Sequence, residues 1–246
     1  MAPLGHGRSD GPRATVTTAD VYVDDILSHV DRVRAKFTGK PTFLIGYSMG
    51  GLLILLAVQR RPEDFAGMVL LAPFLGVQQV SRFKMSLVRA LGRILPNVPV
   101  AKTAVELACR DPAAVDQMKD DPLRYRGNVS AGWAAAMFNA LEVAHSQVNA
   151  VELPLFIQHG SADKMCDPDS SRDFFKRVPS KDKSIKIYNG AYHSLLKEPD
   201  GVGEQALKDI VNWCSSRLPV EETPQPRLAS EHPSDGATVA AVASSA

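Results

Sequence analysis

Short continuous apolar runs alternate with longer amphipathic segments along most of the chain. The runs that predict buried strands cover residues 41–45, 65–71, 155–158 and 184–188. Helices are predicted over residues 52–60 and 204–218, the last with Leu207, Ile210, Val211 and Cys214 on one face. Strands that alternate with helices are typical of a parallel sheet with right-handed crossovers, so the pattern predicts an α/β fold.

Two segments depart from this alternation. Residues 74–153 are longer than a simple crossover needs, and they carry helical patterns over 79–95, 103–110 and 130–150. We interpret them as a helical cap inserted into a core formed by residues 1–73 and 154–218. Residues 219–246 are rich in Pro, Glu, Ser and Ala without apolar periodicity, and this predicts a disordered tail.

Composition argues against several classes of function. The 28 basic and 27 acidic residues nearly balance, so no overall field favours nucleic acid. No apolar run is long enough for a signal peptide or a transmembrane helix. Cys109, Cys166 and Cys214 form a sparse, odd set without metal-ligand spacing. We therefore expect reduced thiols, a cytoplasmic setting, and no metal or organic cofactor.

A serine stands between glycines where the first predicted strand meets the first predicted helix, in the stretch GYSMG at 46–50. A sharp strand-to-helix turn strains its central residue and needs small neighbours, which Gly46 and Gly50 would supply. Ser48 would then project above the sheet as a nucleophile. The backbone N–H of Met49, at the start of the helix, would donate to an oxyanion formed there.

A serine nucleophile needs a base and an orienting carboxylate. Of the six histidines, His193 alone lies in a turn just after the last predicted strand, whereas His159 is expected to be structural or to support the site indirectly. The carboxylate should follow the strand before the base, which favours Asp163 and leaves Asp167 as the alternative. The chain order Ser48, Asp163, His193 is the order of α/β-hydrolases.

The chain resembles the monoacylglycerol lipase family of α/β-hydrolases. The matching stretches are GHGRS at 5–9, GYSMGG at 46–51, FAGMVL at 65–70, GSADKMCD at 160–167 and KIYNGAYH at 186–193. The resemblance implies that Ser48 is the nucleophile, His193 the base and Asp163 the acid. It also implies that Cys166 lines the active site and reacts with thiol reagents, although a small buried apolar residue is an equal alternative.

The chain differs from the family at two places. Tyr47 stands where the family usually has histidine, at a position that we expect to face the interior with modest repacking. Relatives also carry an upstream half of the sheet and a His-Gly loop that donates a second oxyanion N–H. We therefore expect a truncated isoform, an alternative start or an incomplete gene model. In such a chain Met49 would be the visible oxyanion donor, and the strand at 41–45 an exposed edge.

The segment 79–95 is amphipathic. Its apolar residues at helical spacing are Val80, Phe83, Leu87, Leu91, Ile94 and Leu95, and its basic residues are Arg82, Lys84, Arg89 and Arg93. Such a helix can lie on an anionic membrane surface or pack its apolar face on the domain. The resemblance favours peripheral membrane contact.

The resemblance implies hydrolysis of monoacylglycerols to a fatty acid and glycerol through an acyl-enzyme. Two alternatives remain open. One is a catalytically silent form that binds lipid or a partner protein. The other is a lysophospholipase or general carboxylesterase with the same chemistry. The sequence predicts no nucleic-acid partner.

Overall fold

The computed structural model describes residues 4–77, 81–102 and 104–219. In chain order the elements are α1 (Asp20–Lys36), β1 (Phe43–Tyr47), α2 (Met49–Arg60), β2 (Gly67–Leu71), α3 (Arg82–Ile94), β3 (Pro99–Ala101), α4 (Pro112–Asp120), β4 (Val129–Ser130), α5 (Ala131–Ser146), β5 (Leu155–Gly160), α6 (Pro168–Arg177), β6 (Lys183–Tyr188) and α7 (Val202–Ser215). The predicted tail lies outside the described residues except for Pro219, and the first two residues of the pattern at 79–95 also lie outside them.

The main sheet is parallel, with strand order β1-β2-β5-β6. These are the four strands that the sequence predicts, each shifted by at most two residues at either end, and the prediction of a parallel α/β fold is confirmed. A separate antiparallel pair, β3 and β4, lies in the cap segment, residues 74–153. Because all four main strands run in one direction, the loops that follow them meet at one edge of the sheet.

The position of β1 in the sheet agrees with the sequence prediction, but its burial does not. Among the described strands it pairs only with β2, so it is an edge strand, as expected. Ile45 is 52% exposed and Tyr47 44% exposed, so the prediction of a strand buried on both faces is wrong. An apolar run indicates that a strand can be buried, but the burial of the strand also depends on which elements lie beside it and over it.

The core lies between the sheet and the helices that pack on α2. Every residue of α2 from Gly51 to Val58 is buried. In α5, which the helical pattern at 130–150 predicts, Met137, Leu141 and Ala144 are also buried and belong to the same cluster as α2. α5 thus ties the cap segment to the sheet. The division into core and cap stays a prediction.

Three helical segments differ from the sequence expectation. Residues 104–110, the described part of the pattern at 103–110, form only a short 3-10 turn at Val105–Leu107, so the helix predicted there is wrong. The regular helices α4 and α6 were not predicted. Both begin at an Asp-Pro pair, in which Asp111 or Asp167 accepts a backbone N–H of the first turn and a proline follows at the first helical position. This start signal could have revealed both helices.

α7 buries a different face from the one that the sequence suggested. Its buried residues are Gly203, Ala206, Ile210 and Trp213, while Leu207 and Val211 are 54% and 53% exposed. Trp213 stacks on Phe156 of β5 with ring centroids 6.0 Å apart. The small residues Gly203 and Ala206 let this face of α7 pack closely against the rest of the protein. The indole of Trp213 supplies more contact area than an aliphatic side chain would. Counting aliphatic positions alone missed this.

Candidate active site

The turn between β1 and α2 holds Ser48 in a strained backbone conformation, with φ 54° and ψ −121°. Two hydrogen bonds fix the turn to the end of β2. The backbone N–H of Ser48 donates to the carbonyl of Leu71 at 2.9 Å, and the Ser48 carbonyl accepts from the N–H of Phe74 at 3.0 Å. Strain of this kind costs about 1–3 kcal/mol and is found mostly at functional sites, where the surrounding structure enforces it.

The glycines around Ser48 do not contribute equally. A Cβ on Gly46 would lie 2.5 Å from the carbonyl oxygen of Gly50, and one on Gly51 would lie 2.8 Å from Cβ of Pro73. At Gly50 itself, an added Cβ would have no described atom within 4 Å. Close approach therefore requires glycine at positions 46 and 51. The sequence predicts that Gly50 must be small to avoid a clash, but the described residues show no such clash at position 50. The Gly50 backbone instead crowds position 46.

The structure brings Ser48, His193 and Asp163 together at the carboxyl edge of the sheet. His193 Nε2 lies 2.9 Å from Ser48 Oγ, and His193 Nδ1 lies 2.7 Å from Asp163 Oδ2. The side chains of His193 and Asp163 are 2% and 0% exposed. A carboxylate only accepts, so Nδ1 carries the proton and Nε2 is left to accept the serine hydroxyl proton. This geometry can activate a serine as a nucleophile; the catalytic roles stay a proposal.

Asp163 accepts hydrogen bonds at both of its carboxylate oxygens. Oδ1 accepts from the backbone N–H groups of Met165 at 2.7 Å and Cys166 at 3.0 Å. Oδ2 accepts from His159 Nε2 at 3.0 Å as well as from His193. Burial alone would raise the pKa of Asp163, but the hydrogen bonds from the two histidines outweigh it and hold that pKa well below its usual value. The carboxylate is therefore ionised at neutral pH.

His159 supports the site without touching the nucleophile. Its ring is fully buried, and its Nδ1 lies 2.8 Å from the hydroxyl of Ser171 in α6. Asp167, the alternative acid, caps α6 instead: it accepts from the N–H of Asp169 at 3.1 Å and from the hydroxyl of Ser170 at 2.8 Å. The geometry thus favours Asp163 over Asp167 as the partner of His193.

Met49 and Cys166 both lie next to Ser48. Met49 is the first residue of α2, so its backbone N–H is one of those that the helix cannot satisfy internally. Its role as an oxyanion donor remains a prediction. Cys166 is 2% exposed, and its thiol interacts with the Ser48 hydroxyl. Burial, with a smaller effect of the Asp163 charge, raises the pKa of the Cys166 thiol. A protonated, buried thiol is a weak nucleophile, which argues against high reactivity towards thiol reagents.

Tyr47 corrects the expectation that its position faces the interior, because it is 44% exposed. Its hydroxyl lies 2.7 Å from Ser194 Oγ, and its ring centroid lies 4.9 Å from that of His193. Sequence reasoning did not identify Ser194. The only signal in the sequence was its position immediately after the predicted base.

Comparison with known proteins identifies one matching family and several similar hydrolases. The family described as Hydrolase_4, serine aminopeptidase, S33, matches residues 3–200. Monoglyceride lipase of Rattus norvegicus is 34% identical over 219 residues, which are 88% of this chain and 72% of the rat protein. Caffeoylshikimate esterase of Arabidopsis thaliana is 32% identical over 225 residues, which are 87% of this chain and 68% of the plant protein. The crystal structure of monoacylglycerol lipase from Paleococcus ferrophilus is 30% identical, with a TM-score of 0.77 over 87% of this chain and 81% of that chain.

Proposed function

Because this chain belongs to the Hydrolase_4 family of α/β-hydrolases and is a serine carboxylic-ester hydrolase, we propose that it cleaves monoacylglycerols with Ser48, His193 and Asp163. The observation that carries the proposal is the hydrogen-bonded chain from Ser48 Oγ through His193 to Asp163. The substrate class rests on the similarity to the lipases of Rattus norvegicus and Paleococcus ferrophilus, which covers most of this chain and of each lipase.

The reaction would proceed in two halves. His193 Nε2 takes the proton of Ser48 as Oγ attacks the ester carbonyl, while Asp163 stabilises the imidazolium through Nδ1–H. The backbone N–H of Met49 donates to the oxyanion that forms. The imidazolium then returns its proton to the departing glycerol oxygen, which leaves an acyl group on Ser48. A water molecule, deprotonated by His193, releases the fatty acid and restores the serine.

A substrate ranking tests the proposed specificity. We expect kcat/KM for 1-oleoylglycerol to exceed that for the matching lysophosphatidylcholine and for p-nitrophenyl acetate by about 10-fold or more. A preference for lysophosphatidylcholine would instead identify a lysophospholipase, and a preference for the short ester a general carboxylesterase. Folded protein without activity on any of the three would favour the catalytically silent alternative.

We further propose that α3 contacts the membrane surface that supplies the substrate. Phe83, Leu87 and Ile94 are 77%, 59% and 77% exposed, and they share one side of α3 because each residue advances by about 100° around a helix. We call these three residues the α3 stripe. The opposite side packs on α5, where a Cβ on Gly92 would lie 2.7 Å from that of Ala135.

The charges of α3 are consistent with this orientation. Arg89 points to α5, where it donates to the carbonyl of Phe138 and to the Glu142 carboxylate. Lys84 and Arg93 are exposed and flank the α3 stripe. Basic side chains beside an apolar surface suit an anionic lipid headgroup region. In the part of the chain that the structure describes, no helix has the length and apolarity needed to cross a bilayer. The cytoplasmic setting stays a prediction from the cysteine content.

Removing the α3 stripe should separate lipid binding from chemistry. We expect Phe83→Ser combined with Leu87→Ser to weaken binding to phosphatidylcholine–phosphatidylserine vesicles by about 10- to 100-fold, because two apolar side chains no longer enter the interface. Hydrolysis of soluble p-nitrophenyl butyrate should stay unchanged. Co-sedimentation with vesicles measures the binding, and release of p-nitrophenol from the soluble ester measures the hydrolysis.

The matched control is Leu207→Ser combined with Val211→Ser, which removes two exposed apolar side chains from α7. It should leave vesicle binding unchanged. Equal losses in both double variants would contradict a specific role of α3, since they would indicate general surface stickiness.

A further inference from the structure

The residue after His193 is held from two sides. The backbone N–H of Ser194 donates to the carbonyl of Ala108 in the cap segment at 2.6 Å. Its side-chain hydroxyl lies 2.7 Å from the hydroxyl of Tyr47, the last residue of β1 and the neighbour of the nucleophile. The second link joins positions that are 147 residues apart in sequence. It connects the neighbour of the base directly to the neighbour of the serine.

Tyr47 also contacts the base itself. Its ring lies against the His193 imidazole, with centroids 4.9 Å apart and planes inclined by 43°. Burial around the hydroxyl raises the pKa of Tyr47 above its usual value, which is already well above neutral, so the group is protonated at neutral pH. It is therefore available as a donor to Ser194 while His193 exchanges protons with Ser48.

We propose that Tyr47 is a positioning residue, which fixes His193 relative to Ser48 through the hydrogen bond to Ser194. This inference rests on the proposed function. The imidazole ring is anchored at Nδ1 by Asp163, but the backbone that carries it follows β6 in an irregular loop. A tether from the serine turn to that loop limits the motion that would lengthen the 2.9 Å contact between His193 and Ser48. The catalytic rate depends steeply on how the reacting groups are placed, and a displacement of 1 Å can lower it by about 100-fold.

Tyr47→Phe removes the hydroxyl and keeps the ring against His193. We expect kcat on a soluble p-nitrophenyl ester to fall by about 10-fold, with KM changed by less than about twofold, because the substrate contacts remain while the base is less well placed. The rate at which a fluorophosphonate labels Ser48 should fall in parallel. A substitution that only destabilised the protein would lower the fraction of molecules that can be labelled, but it would not lower kcat per labelled site.

The partner residue provides a coupling test. Ser194→Ala should have an effect similar to that of Tyr47→Phe, and the double variant should be no slower than either single variant, because all three lose the same bond. Ser194→Thr keeps a hydroxyl and should restore most of the rate. Effects of the two single variants that multiply in the double variant would overturn the tether.

Tyr188→Phe is the matched control. It also removes a hydrogen-bonded tyrosine hydroxyl, which here donates to Asp209 at 2.6 Å and accepts from Gln158 Nε2 at 3.0 Å. We expect a lower melting temperature and an unchanged kcat. A loss of kcat as large as that in Tyr47→Phe would overturn the specific role.

The outcomes for the two proposals are distinguishable. Wild-type protein that labels and hydrolyses, together with a Tyr47→Phe variant that does so equally fast, overturns the role of Tyr47 alone. Wild-type protein that does neither overturns the proposed function and this role with it.

Discussion

Replacing Ser48 with alanine is expected to lower kcat for monoacylglycerol hydrolysis by about 10⁴- to 10⁶-fold, because no acyl-enzyme can form without the hydroxyl. The fold should be retained, since the two backbone hydrogen bonds that fix Ser48 to Leu71 and Phe74 do not involve its side chain. Fatty-acid release from 1-oleoylglycerol measures the rate, and circular dichroism checks the fold.

The control for Ser48→Ala is Ser216→Ala just after α7, where the hydroxyl donates to the backbone carbonyl of Trp213 and accepts from the guanidinium of Arg217, both close in sequence. This variant should keep full activity. If the Ser48→Ala protein retained more than about a hundredth of the wild-type kcat, the nucleophile would have to be another residue.

Replacing Asp163 with asparagine is expected to lower kcat by about 10³- to 10⁴-fold. The amide has almost the same shape, but it cannot stabilise the imidazolium electrostatically. It also allows an N–H to face the histidine, which favours the wrong tautomer. His159 makes the effect larger than a simple loss of charge, because it too needs an acceptor at the same oxygen. The pH-independent kcat for 1-oleoylglycerol hydrolysis measures the effect.

Asp167→Asn distinguishes the two aspartates that the sequence left as candidates. Asparagine caps a helix as well as aspartate does, so α6 should be preserved. We expect kcat to stay within about threefold of the wild type, since the Asp167 carboxylate binds Asp169 and Ser170 rather than a histidine. A large loss here with little loss in Asp163→Asn would reverse the assignment.

Asp163 should also affect acid stability. Its pKa is lower in the folded state than in the unfolded chain, so the ionised carboxylate stabilises the fold above the unfolded value of about 3.9. That contribution is lost as the pH falls from there through the folded-state pKa. Urea unfolding should therefore show the stability difference between wild type and Asp163→Asn shrinking below about pH 4.

The placement of the candidate site residues was largely predictable, because the loops that follow parallel strands meet at one edge of the sheet. Ser48 after β1, Asp163 after β5 and His193 after β6 needed only strand assignments and the chemistry of each residue type. No lateral distances had to be known. The Asp-Pro starts of α4 and α6 were equally local and could have been found in the same way.

The features that could not be predicted depend on contacts between distant segments. Nothing local indicates that the hydroxyl of Tyr47 meets Ser194, or that His159 shares a carboxylate oxygen with His193. The exposure of Ile45 likewise depends on the elements around β1 rather than on its own residues. The α3 stripe shows the same limit, because an amphipathic pattern defines an apolar side without specifying what that side faces.

The most direct test of the account is whether Ser48 is an activated nucleophile. The full chain of 246 residues would be treated with a fluorophosphonate, and its intact mass would be compared with that of the Ser48→Ala variant treated in parallel. We expect a single adduct on the wild-type protein and none on the variant. Folded wild-type protein without an adduct, or an equal adduct on both proteins, would contradict it.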